Sequence, residues 1–351
     1  MWAKPGHAPG DSILTLADSP ALRYRCDRYI DEQNFVRVMA DDVLRGLTHT
    51  PKSLAPRYFY DEAGCALFEQ ITQLPEYYLT RAEGELLRSL APALMRDLKP
   101  RDIVEIGSGS SAKIRHFLDA LAEQNAPVRY VPLDVNGQTA ERSAYALTEA
   151  YPHLRVHAII GDFERHLGRV PPAQGRRLAV FFGSTIGNLA PASRHDFLLQ
   201  VRRLLRPGDR LLLGLDLVKD RATLEAAYND RQGVTAEFNR NILRVINRRL
   251  GADFNPDAFA HRAFYEPSAC RIEMHLVPRY PQTVSLAALK VAVGISAGES
   301  ILTENSYKFT RESSVDMLRC AGMGLEAWFT DSKGRFALAL AARDDASSNA
   351  R

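Results

Sequence analysis

The chain has few of the features that mark metal-binding, membrane-spanning and nucleic-acid-binding proteins. Its four cysteines (Cys26, Cys65, Cys270 and Cys320) lack the close pairing of zinc sites, and its nine histidines form no ligand cluster. No apolar run approaches the roughly 20 residues that a membrane span needs. The net charge of +3 is too small to indicate a nucleic-acid partner. These absences predict no metal, no membrane or nucleic-acid partner, and free thiols in a reducing cytoplasm.

Length and composition favour a globular protein with two structural units. At 351 residues the chain exceeds the usual size of one domain, and 46% of its residues are hydrophobic, which is enough for a sizeable core. Residues 1–22 are rich in Pro, Gly, Ala and Asp and do not have the pattern of a signal peptide. We expect this N-terminal segment to be flexible.

A glycine-rich turn between a buried strand and a helix is the most informative local pattern. The run 103–106 predicts a buried parallel strand, which ends in Gly107-x-Gly109-x-x-Ala112. Apolar residues then recur at helical spacing over 114–121. Glycine lets the backbone approach a ligand closely, and a small residue such as Ala112 lets the helix pack tightly on the sheet. We therefore expect Gly107 and Gly109 to contact a cofactor.

Two further predicted strands end in carboxylates that suit a nucleoside. Residues 128–134 end in Asp134, where a carboxylate is the usual partner of a ribose diol. The strand over 156–161 is followed by Asp162 and Phe163, which offer a carboxylate for the amino group of adenine and a ring for its face. The turn alone is compatible with a dinucleotide or with S-adenosylmethionine, and the dinucleotide would need its pyrophosphate at the helix N-terminus.

The remaining strands favour S-adenosylmethionine. Residues 178–182 and 210–216 predict a fourth and a fifth strand, and residues 325–330 and 336–342 flank a turn that predicts a C-terminal hairpin. A mostly parallel sheet that ends in an antiparallel hairpin is typical of class I, Rossmann-like methyltransferases. The sequence therefore predicts an α/β fold of this class with S-adenosylmethionine as methyl donor, and disfavours an NAD-dependent oxidoreductase.

The predicted methyltransferase core is discontinuous. Residues 23–81 are dense in aromatic side chains and precede the first predicted strand of the sheet. Residues 219–308 break the alternation of strand and helix, with helices followed by strand-like segments at 270–278 and 284–293. We expect a substrate-binding domain over 23–81 and 219–308, and an S-adenosylmethionine-binding domain over 82–218 and 309–351.

Polar residues in three places are candidates for binding the methyl acceptor. Asn188 follows the fourth strand and the glycine-flanked turn that begins at Gly183, and it could bind substrate or cap the next helix. Tyr228 could bind substrate or be an ordinary aromatic of an amphipathic helix. Glu304 and Ser306 alternate with their neighbours, so an extended chain would direct both into one pocket, whereas a solvated loop would not.

Several sequence blocks together resemble the histidine-specific Nα-methyltransferases of ergothioneine biosynthesis. The resemblance runs in order from about residue 50 to about residue 342. Its blocks are 58–64 (YFYDEAG), 74–78 (LPEYY), Thr80-Arg81, 183–188 (GSTIGN), 238–241 (FNRN) and 303–309 (TENSYKF). Such enzymes use S-adenosylmethionine three times to convert L-histidine into its trimethylbetaine, hercynine. The resemblance also implies a class I core with a separate substrate-binding domain.

The resemblance implies roles for acceptor-side residues. Asn188 and Tyr228 would hold the amino-acid carboxylate, and Tyr60 and the backbone of Gly183 would lie near the amine that receives the methyl group. The residues that would read the imidazole are Tyr77, Glu304 and Ser306, with Met274 bordering their pocket.

On the cofactor side, the resemblance places Gly107 and Lys113 at the glycine turn. It assigns Asp134 to the ribose, and Asp162 with Phe163 to the adenine. These roles agree with those expected from the ends of the predicted strands.

The amine must be neutral to attack, yet no histidine occupies a motif position suited to a dedicated base. We expect water, aided by Tyr60, to accept the proton. Two alternatives to histidine methylation remain: an N-methyltransferase for another amino acid or small amine, and a non-catalytic S-adenosylmethionine-binding protein. The sequence further leads us to expect a monomer whose partner is a small molecule.

Overall fold

The computed structural model describes residues 23–344, and a central β-sheet dominates this part of the chain. The predicted flexible segment 1–22 lies outside the described residues. In chain order the strands are β1 (Tyr24–Arg28), β2 (Lys52–Ser53), β3 (Asp102–Ile106), β4 (Val128–Asp134), β5 (Leu154–Ile160), β6 (Arg177–Phe181), β7 (Arg210–Asp216), β8 (Phe259–Glu266), β9 (Arg271–Pro278), β10 (Gln282–Leu286), β11 (Val291–Ile295), β12 (Ile301–Tyr307), β13 (Met323–Thr330) and β14 (Phe336–Arg343).

Helices precede, separate and follow these strands. They are α1 (Glu32–Thr48), α2 (Glu62–Gln73), α3 (Leu79–Leu98), α4 (Ala112–Ala122), α5 (Gly137–Ala150), α6 (Phe163–His166), α7 (Pro191–Leu204), α8 (Arg221–Tyr228), α9 (Val234–Leu250) and α10 (Arg311–Cys320). Among residues 23–344, no helix is both long enough and apolar enough to cross a membrane.

The central sheet has eight strands in the order β1-β5-β4-β3-β6-β7-β14-β13. Strand β14 runs antiparallel to β7 and to β13, and the other neighbouring strands are parallel. The class I methyltransferase fold predicted from the sequence, including its C-terminal antiparallel hairpin, is therefore confirmed.

Helices cover both faces of this sheet, which explains why its central strands are apolar throughout. Every residue of β3 and of β6 is buried. Ile103 and Val104, which point to opposite faces, belong to two separate apolar clusters. Helix α4 adds Phe117 to the first cluster, and α7 adds Phe197 to the second. Burial on both faces is the usual state of parallel strands.

The position of β1 differs from the prediction. We expected residues 23–81 to precede the first strand of the sheet, but β1 pairs in parallel with β5 at one edge. The prediction was wrong because an edge strand buries fewer side chains than a central one. The five residues of β1 include Arg25, Asp27 and Arg28 and do not form an apolar run.

A second, four-stranded sheet has the order β2-β12-β9-β8. It joins β2, from the segment before the core, to strands of the 219–308 segment. The strand predicted over 284–293 is instead two strands, β10 and β11, which pair antiparallel. The chain reverses between them through a 3-10 turn at Ala287–Leu289 and a left-handed residue, Lys290, with φ of 54°.

Candidate active site

The glycine turn lies between β3 and α4, as predicted. Gly107 and Gly109 have positive φ values of 66° and 48°, a backbone conformation that glycine adopts without the penalty of a side chain. The N–H of Gly109 donates to Oδ2 of Asp134 at 2.8 Å. A Cβ atom at Gly109 would meet no other atom within 4 Å. The turn therefore presents its backbone to open space beside the end of β4.

Asp134 is the last residue of β4, and two backbone N–H groups hold its carboxylate. Oδ1 accepts from the N–H of Asn136 at 2.9 Å, and Oδ2 accepts from Gly109. Burial raises the pKa of Asp134, and these backbone donors oppose the rise because they stabilise the charged form. A carboxylate has about four lone-pair sites, so each oxygen can still accept a hydroxyl hydrogen.

Asp162 and Phe163 lie after β5, where α6 begins. The carboxylate of Asp162 caps this short helix, accepting from the N–H of Glu164 at 2.9 Å. Its other oxygen accepts from the guanidinium of Arg57 at 2.5 Å. The Phe163 ring packs edge-on against Phe181, with ring centroids 5.3 Å apart. Sequence analysis did not predict the contact of Arg57 with this strand end.

A shallow cleft opens beside Asp162. Its walls include Val135, which follows Asp134, together with Asn34 and Phe35 of helix α1 and the side chain of Arg57. The segment before the core therefore contributes one wall of the space next to the carboxyl ends of β4 and β5.

A buried carboxylate, Glu83 of helix α3, connects the glycine turn to the loop that follows β6. Lys113 at the start of α4 forms an ion pair with Glu83, with Nζ 2.6 Å from Oε2. The N–H of Gly183 donates to Oε1 of the same residue at 2.8 Å. A Cβ atom on Gly214 of strand β7 would lie 2.2 Å from Oε1, so glycine is required there for Glu83 to reach this position.

Three tyrosines from separate segments, Tyr60, Tyr77 and Tyr228, lie close to one another and to Glu304, and we call this cluster the acceptor pocket. The Tyr77 and Tyr228 rings pack edge-on, with centroids 6.4 Å apart, and Phe68 lies between Tyr60 and Tyr77. Burial raises the pKa of each of the three phenols well above its ordinary value, and the nearby carboxyl of Glu304 raises it further. These hydroxyls therefore stay protonated at neutral pH.

Glu304 and Ser306 lie on β12 with their side chains buried, so the predicted alternation is observed. Met274 pairs with Glu304 on the adjacent strand β9 and is also buried. The hydroxyls of Tyr228 and Ser306 are 2.8 Å apart. Burial raises the pKa of Glu304 to about 7, although the ammonium of Lys308 opposes the rise. The pocket thus contains a carboxyl group that titrates near neutrality.

Asn188 is not a helix cap, because α7 begins at Pro191 with Ala190 as its N-cap residue. Instead it ends the 3-10 turn Thr185–Asn188. This turn packs against β12, since a Cβ atom on Gly187 would lie 2.7 Å from the carbonyl oxygen of Tyr307. The turn therefore brings Asn188 close to β12, and its role in carboxylate binding stays a prediction.

Besides Arg57, two buried charged residues contact candidate site residues and were not predicted from the sequence, although each leaves a signal in the pattern. Glu83 lies among Ala82, Leu86 and Leu87 on the buried face of α3, where a charged residue is unexpected. Lys308 continues the alternation of Glu304 and Ser306 and is almost fully buried. Buried charges of this kind are found where a partner compensates them.

The class of protein is defined by the fold together with the residues that follow β3, β4 and β5, which we call the cofactor edge. A glycine turn after β3, carboxylates at the ends of β4 and β5, and a sheet that ends in an antiparallel hairpin are the plan of the class I S-adenosylmethionine-dependent methyltransferases. The residues fit that cofactor, because Asp134 presents acceptors for a diol next to an exposed backbone at Gly109.

The chain belongs to the family of histidine-specific, S-adenosylmethionine-dependent methyltransferases, whose pattern matches residues 39–343. It is 47% identical over 315 residues to the histidine N-alpha-methyltransferase of Mycolicibacterium smegmatis, covering 90% of this chain and 98% of that protein. It is 49% identical over 302 residues to the histidine N-alpha-methyltransferase of Mycobacterium tuberculosis, covering 86% of this chain and 94% of that protein.

A more distant relative is ergothioneine biosynthesis protein 1 of Neurospora crassa. It is 29% identical over 291 residues, which cover 78% of this chain and 31% of that protein. The family resemblance inferred from the sequence blocks is confirmed.

Proposed function

We propose that the protein transfers methyl groups from S-adenosylmethionine to the α-amine of L-histidine, three in succession, to form hercynine. The observation that carries the choice of substrate is the buried carboxyl of Glu304, which lies on β12 two residues before the buried hydroxyl of Ser306. A carboxylate accepts from an imidazole N–H, and the hydroxyl can pair with the second ring nitrogen, whereas an indole or a phenol ring has no second nitrogen to offer.

The acceptor pocket supports this substrate by the chemistry of its walls. We assign Glu304 and Ser306 to the two ring nitrogens, with Tyr77 and Met274 against the ring faces. Asn188 and the Tyr228 hydroxyl would hold the amino-acid carboxylate. Burial makes these contacts selective, because a substrate without ring nitrogens would leave the polar groups of β12 unpaired at a cost of about 1–3 kcal/mol.

The cofactor edge supports the methyl donor. Gly107 and Gly109 would approach it through their backbone, Asp134 would bind its ribose, and Asp162 with Phe163 would bind its adenine. Lys113, which pairs with Glu83, would lie near the amino-acid end of S-adenosylmethionine. When bound, S-adenosylmethionine supplies a sulfonium methyl group whose C–S bond breaks as the amine nitrogen forms the new N–C bond.

The protein contributes to the reaction chiefly by alignment. Near-attack positioning of two reactants can lower a barrier by on the order of 7–11 kcal/mol. Tyr60 holds the amine as a hydrogen-bond partner and does not act as a base from a phenolate state, because its pKa is raised well above the ordinary value. Water accepts the proton that each methylation releases. The backbone of Gly183 leaves room for the growing number of methyl groups.

The domain division is part of the same proposal. Strand β2 lies in one sheet with β12, β9 and β8, which supports a substrate-binding domain made from parts of residues 23–81 and of residues 219–308. We further propose that the enzyme works as a monomer in the cytoplasm. The cysteines Cys26, Cys65, Cys270 and Cys320 are free thiols, which are usual in a reducing compartment.

Mass spectrometry of the purified protein incubated with S-adenosylmethionine and L-histidine tests the function directly. We expect a product heavier than histidine by three methyl groups. Parallel incubations with tryptophan, tyrosine and histamine should give little product. Efficient methylation of one of these amines, with histidine unchanged, would replace the proposed substrate while leaving the reaction class intact.

A further inference from the structure

Lys308, immediately after β12, places a buried ammonium group behind the acceptor pocket. Its Nζ donates to the hydroxyl of Ser306 at 2.8 Å and to the hydroxyl of Tyr228 at 2.9 Å. It also forms an ion pair with Oδ2 of Asp216, the last residue of β7, at 2.8 Å. Both charged side chains of this pair are fully buried. The ammonium therefore contacts two residues that we assign to substrate binding.

The geometry restricts the hydrogen atoms that the two hydroxyls can offer. An ammonium group has three N–H donors and no acceptor, so Tyr228 and Ser306 must both accept from Lys308. The two hydroxyl oxygens are 2.8 Å apart, and a hydrogen bond between them uses one of their two hydrogens. One hydroxyl hydrogen then remains for the substrate.

The substrate determines which hydroxyl donates to it. A carboxylate only accepts, so Tyr228, which we assign to the substrate carboxylate, must donate its hydrogen bond to that carboxylate. Ser306 then donates to Tyr228 and keeps a lone pair for an N–H of the imidazole. The ammonium occupies a lone pair on each oxygen, so both hydroxyl hydrogens must point away from Lys308, towards the other hydroxyl or towards the substrate.

We propose that Lys308 is a positioning residue for the amino-acid substrate, and that its ammonium orients the hydroxyls of Tyr228 and Ser306 so that the first donates to the substrate carboxylate and the second accepts from the imidazole. This inference rests on the proposed function, since it takes L-histidine as the bound substrate.

A second lysine on the same carboxylate provides a matched control. Lys219 forms an ion pair with Oδ1 of Asp216 at 2.6 Å, and its Nζ also donates to the hydroxyl of Tyr78 at 2.7 Å. Each lysine therefore neutralises one oxygen of Asp216, and each variant would leave the other ion pair in place. Lys308 alone of the two contacts both Tyr228 and Ser306.

The experiment compares Lys308→Met with Lys219→Met by calorimetric titration of L-histidine and of S-adenosylmethionine, together with kcat and both KM values. We expect Lys308→Met to weaken histidine binding by about tenfold or more, since a charged group loses two buried hydrogen bonds to the pocket. The affinity for S-adenosylmethionine should change less than about twofold. Lys219→Met should leave both affinities within about twofold of the unmodified protein.

The dependence of histidine binding on pH gives a second readout, which a purely structural role would not change. The titratable groups that face Glu304 are Tyr60, Tyr77, Tyr228 and Lys308. Of these, Lys308 lowers the pKa of Glu304. Without it, Glu304 should stay protonated to higher pH, and the acidic limb of the histidine-binding profile should move to higher pH in Lys308→Met but not in Lys219→Met.

A further variant, Lys308→Gln, keeps an N–H donor without the charge and should recover part of the histidine affinity. Equal losses in the Lys308→Met and Lys219→Met proteins, or an equal loss of both ligands in Lys308→Met, would overturn the inference, because either result indicates a general effect of the Asp216 ion pairs. Failure of the unmodified protein to bind or methylate histidine would instead contradict the proposed function. Circular dichroism melting of each variant establishes that it is folded.

Discussion

The cofactor edge and the acceptor pocket are assembled in different ways. At the cofactor edge, Asp134 ends its strand and Asp162 lies shortly after one, and backbone N–H groups hold both carboxylates. The acceptor pocket instead combines Tyr60 from the N-terminal part of the chain with Tyr228 and Glu304 from the later insertion. Its groups are held by other side chains, as in the contact between Tyr228 and Ser306.

This difference has a functional meaning. A backbone-built edge tolerates changes in most side chains, which suits the proposed role of this edge in binding a ligand common to many methyltransferases. A pocket built from side chains can change its ligand through one or two substitutions on β12. We therefore expect substitutions on the two sides to separate cleanly into effects on one ligand or the other.

The largest expected effect lies in the acceptor pocket. Glu304→Ala removes the carboxyl group that we propose as the partner of the imidazole and should lower kcat/KM for histidine by about 100-fold, because an unpaired buried group costs about 3 kcal/mol. Selectivity should relax towards tryptophan or tyrosine, while KM for S-adenosylmethionine stays constant. Steady-state kinetics with each amino acid measures this. Asn305→Ala, whose side chain lies on the other face of β12, is the control. Histidine turnover within about twofold of the unmodified enzyme would show that Glu304 does not read the ring.

A smaller effect with the opposite pattern is expected at the cofactor edge. Asp134→Asn replaces a charged acceptor by an amide and should raise KM for S-adenosylmethionine by about 10- to 30-fold, since charge-assisted hydrogen bonds are roughly twice as strong as neutral ones. The affinity for histidine, measured by calorimetry, should stay unchanged. An equal loss of histidine affinity would contradict the expectation that substitutions at the cofactor edge and in the acceptor pocket affect different ligands.

Glu83→Gln sharpens the comparison, because Glu83 contacts both sides. Glutamine can still accept from the N–H of Gly183 but cannot form the ion pair with Lys113. We expect kcat/KM for both ligands to fall by about three- to tenfold. Glu85→Gln, on the same helix with an exposed side chain, should have no effect on either ligand. An effect of Glu83→Gln on S-adenosylmethionine alone would place Glu83 on the cofactor side only.

The smallest expected effect concerns Tyr60. Because its pKa is raised well above the ordinary value, the phenol stays protonated throughout the accessible range and cannot itself cause a change of rate with pH. The rate should rise between pH 7 and 10 as the amine loses its proton, and Tyr60→Phe should lower the rate about threefold without moving the profile. A flat profile in the unmodified enzyme, or loss of the rise in Tyr60→Phe, would contradict proton acceptance by water.

The same contrast explains what could be predicted from the sequence. The strand, turn and helix around Gly107, and the strand that ends at Asp134, follow from periodicity and glycine placement within a short window. Those patterns also predicted the C-terminal hairpin. They failed at β1, because an edge strand needs no apolar run, and at the turn before Lys290, which has no glycine or proline to mark it.

The roles of the individual acceptor-pocket residues could be assigned only by resemblance to a family. Alternation placed Glu304 and Ser306 on one face, but no local pattern shows that Tyr60, Tyr77 and Tyr228 meet them. Such contacts depend on long-range packing between residues 23–81 and residues 219–308. The buried partners Glu83 and Lys308 are detectable as charges at apolar positions, yet the groups they contact become known only in three dimensions.

The single carboxylate of Glu83 also has a thermodynamic consequence. If occupancy of the cofactor edge changes how firmly Lys113 and the Gly183 loop are held, then each ligand alters the affinity of the enzyme for the other. Linkage requires the two factors to be equal: the ratio of histidine dissociation constants with and without the donor must match the ratio of donor constants with and without histidine. A coupling of about 1–3 kcal/mol would change either affinity by about 5- to 150-fold, and would make this one buried side chain the origin of cooperativity between the two ligands.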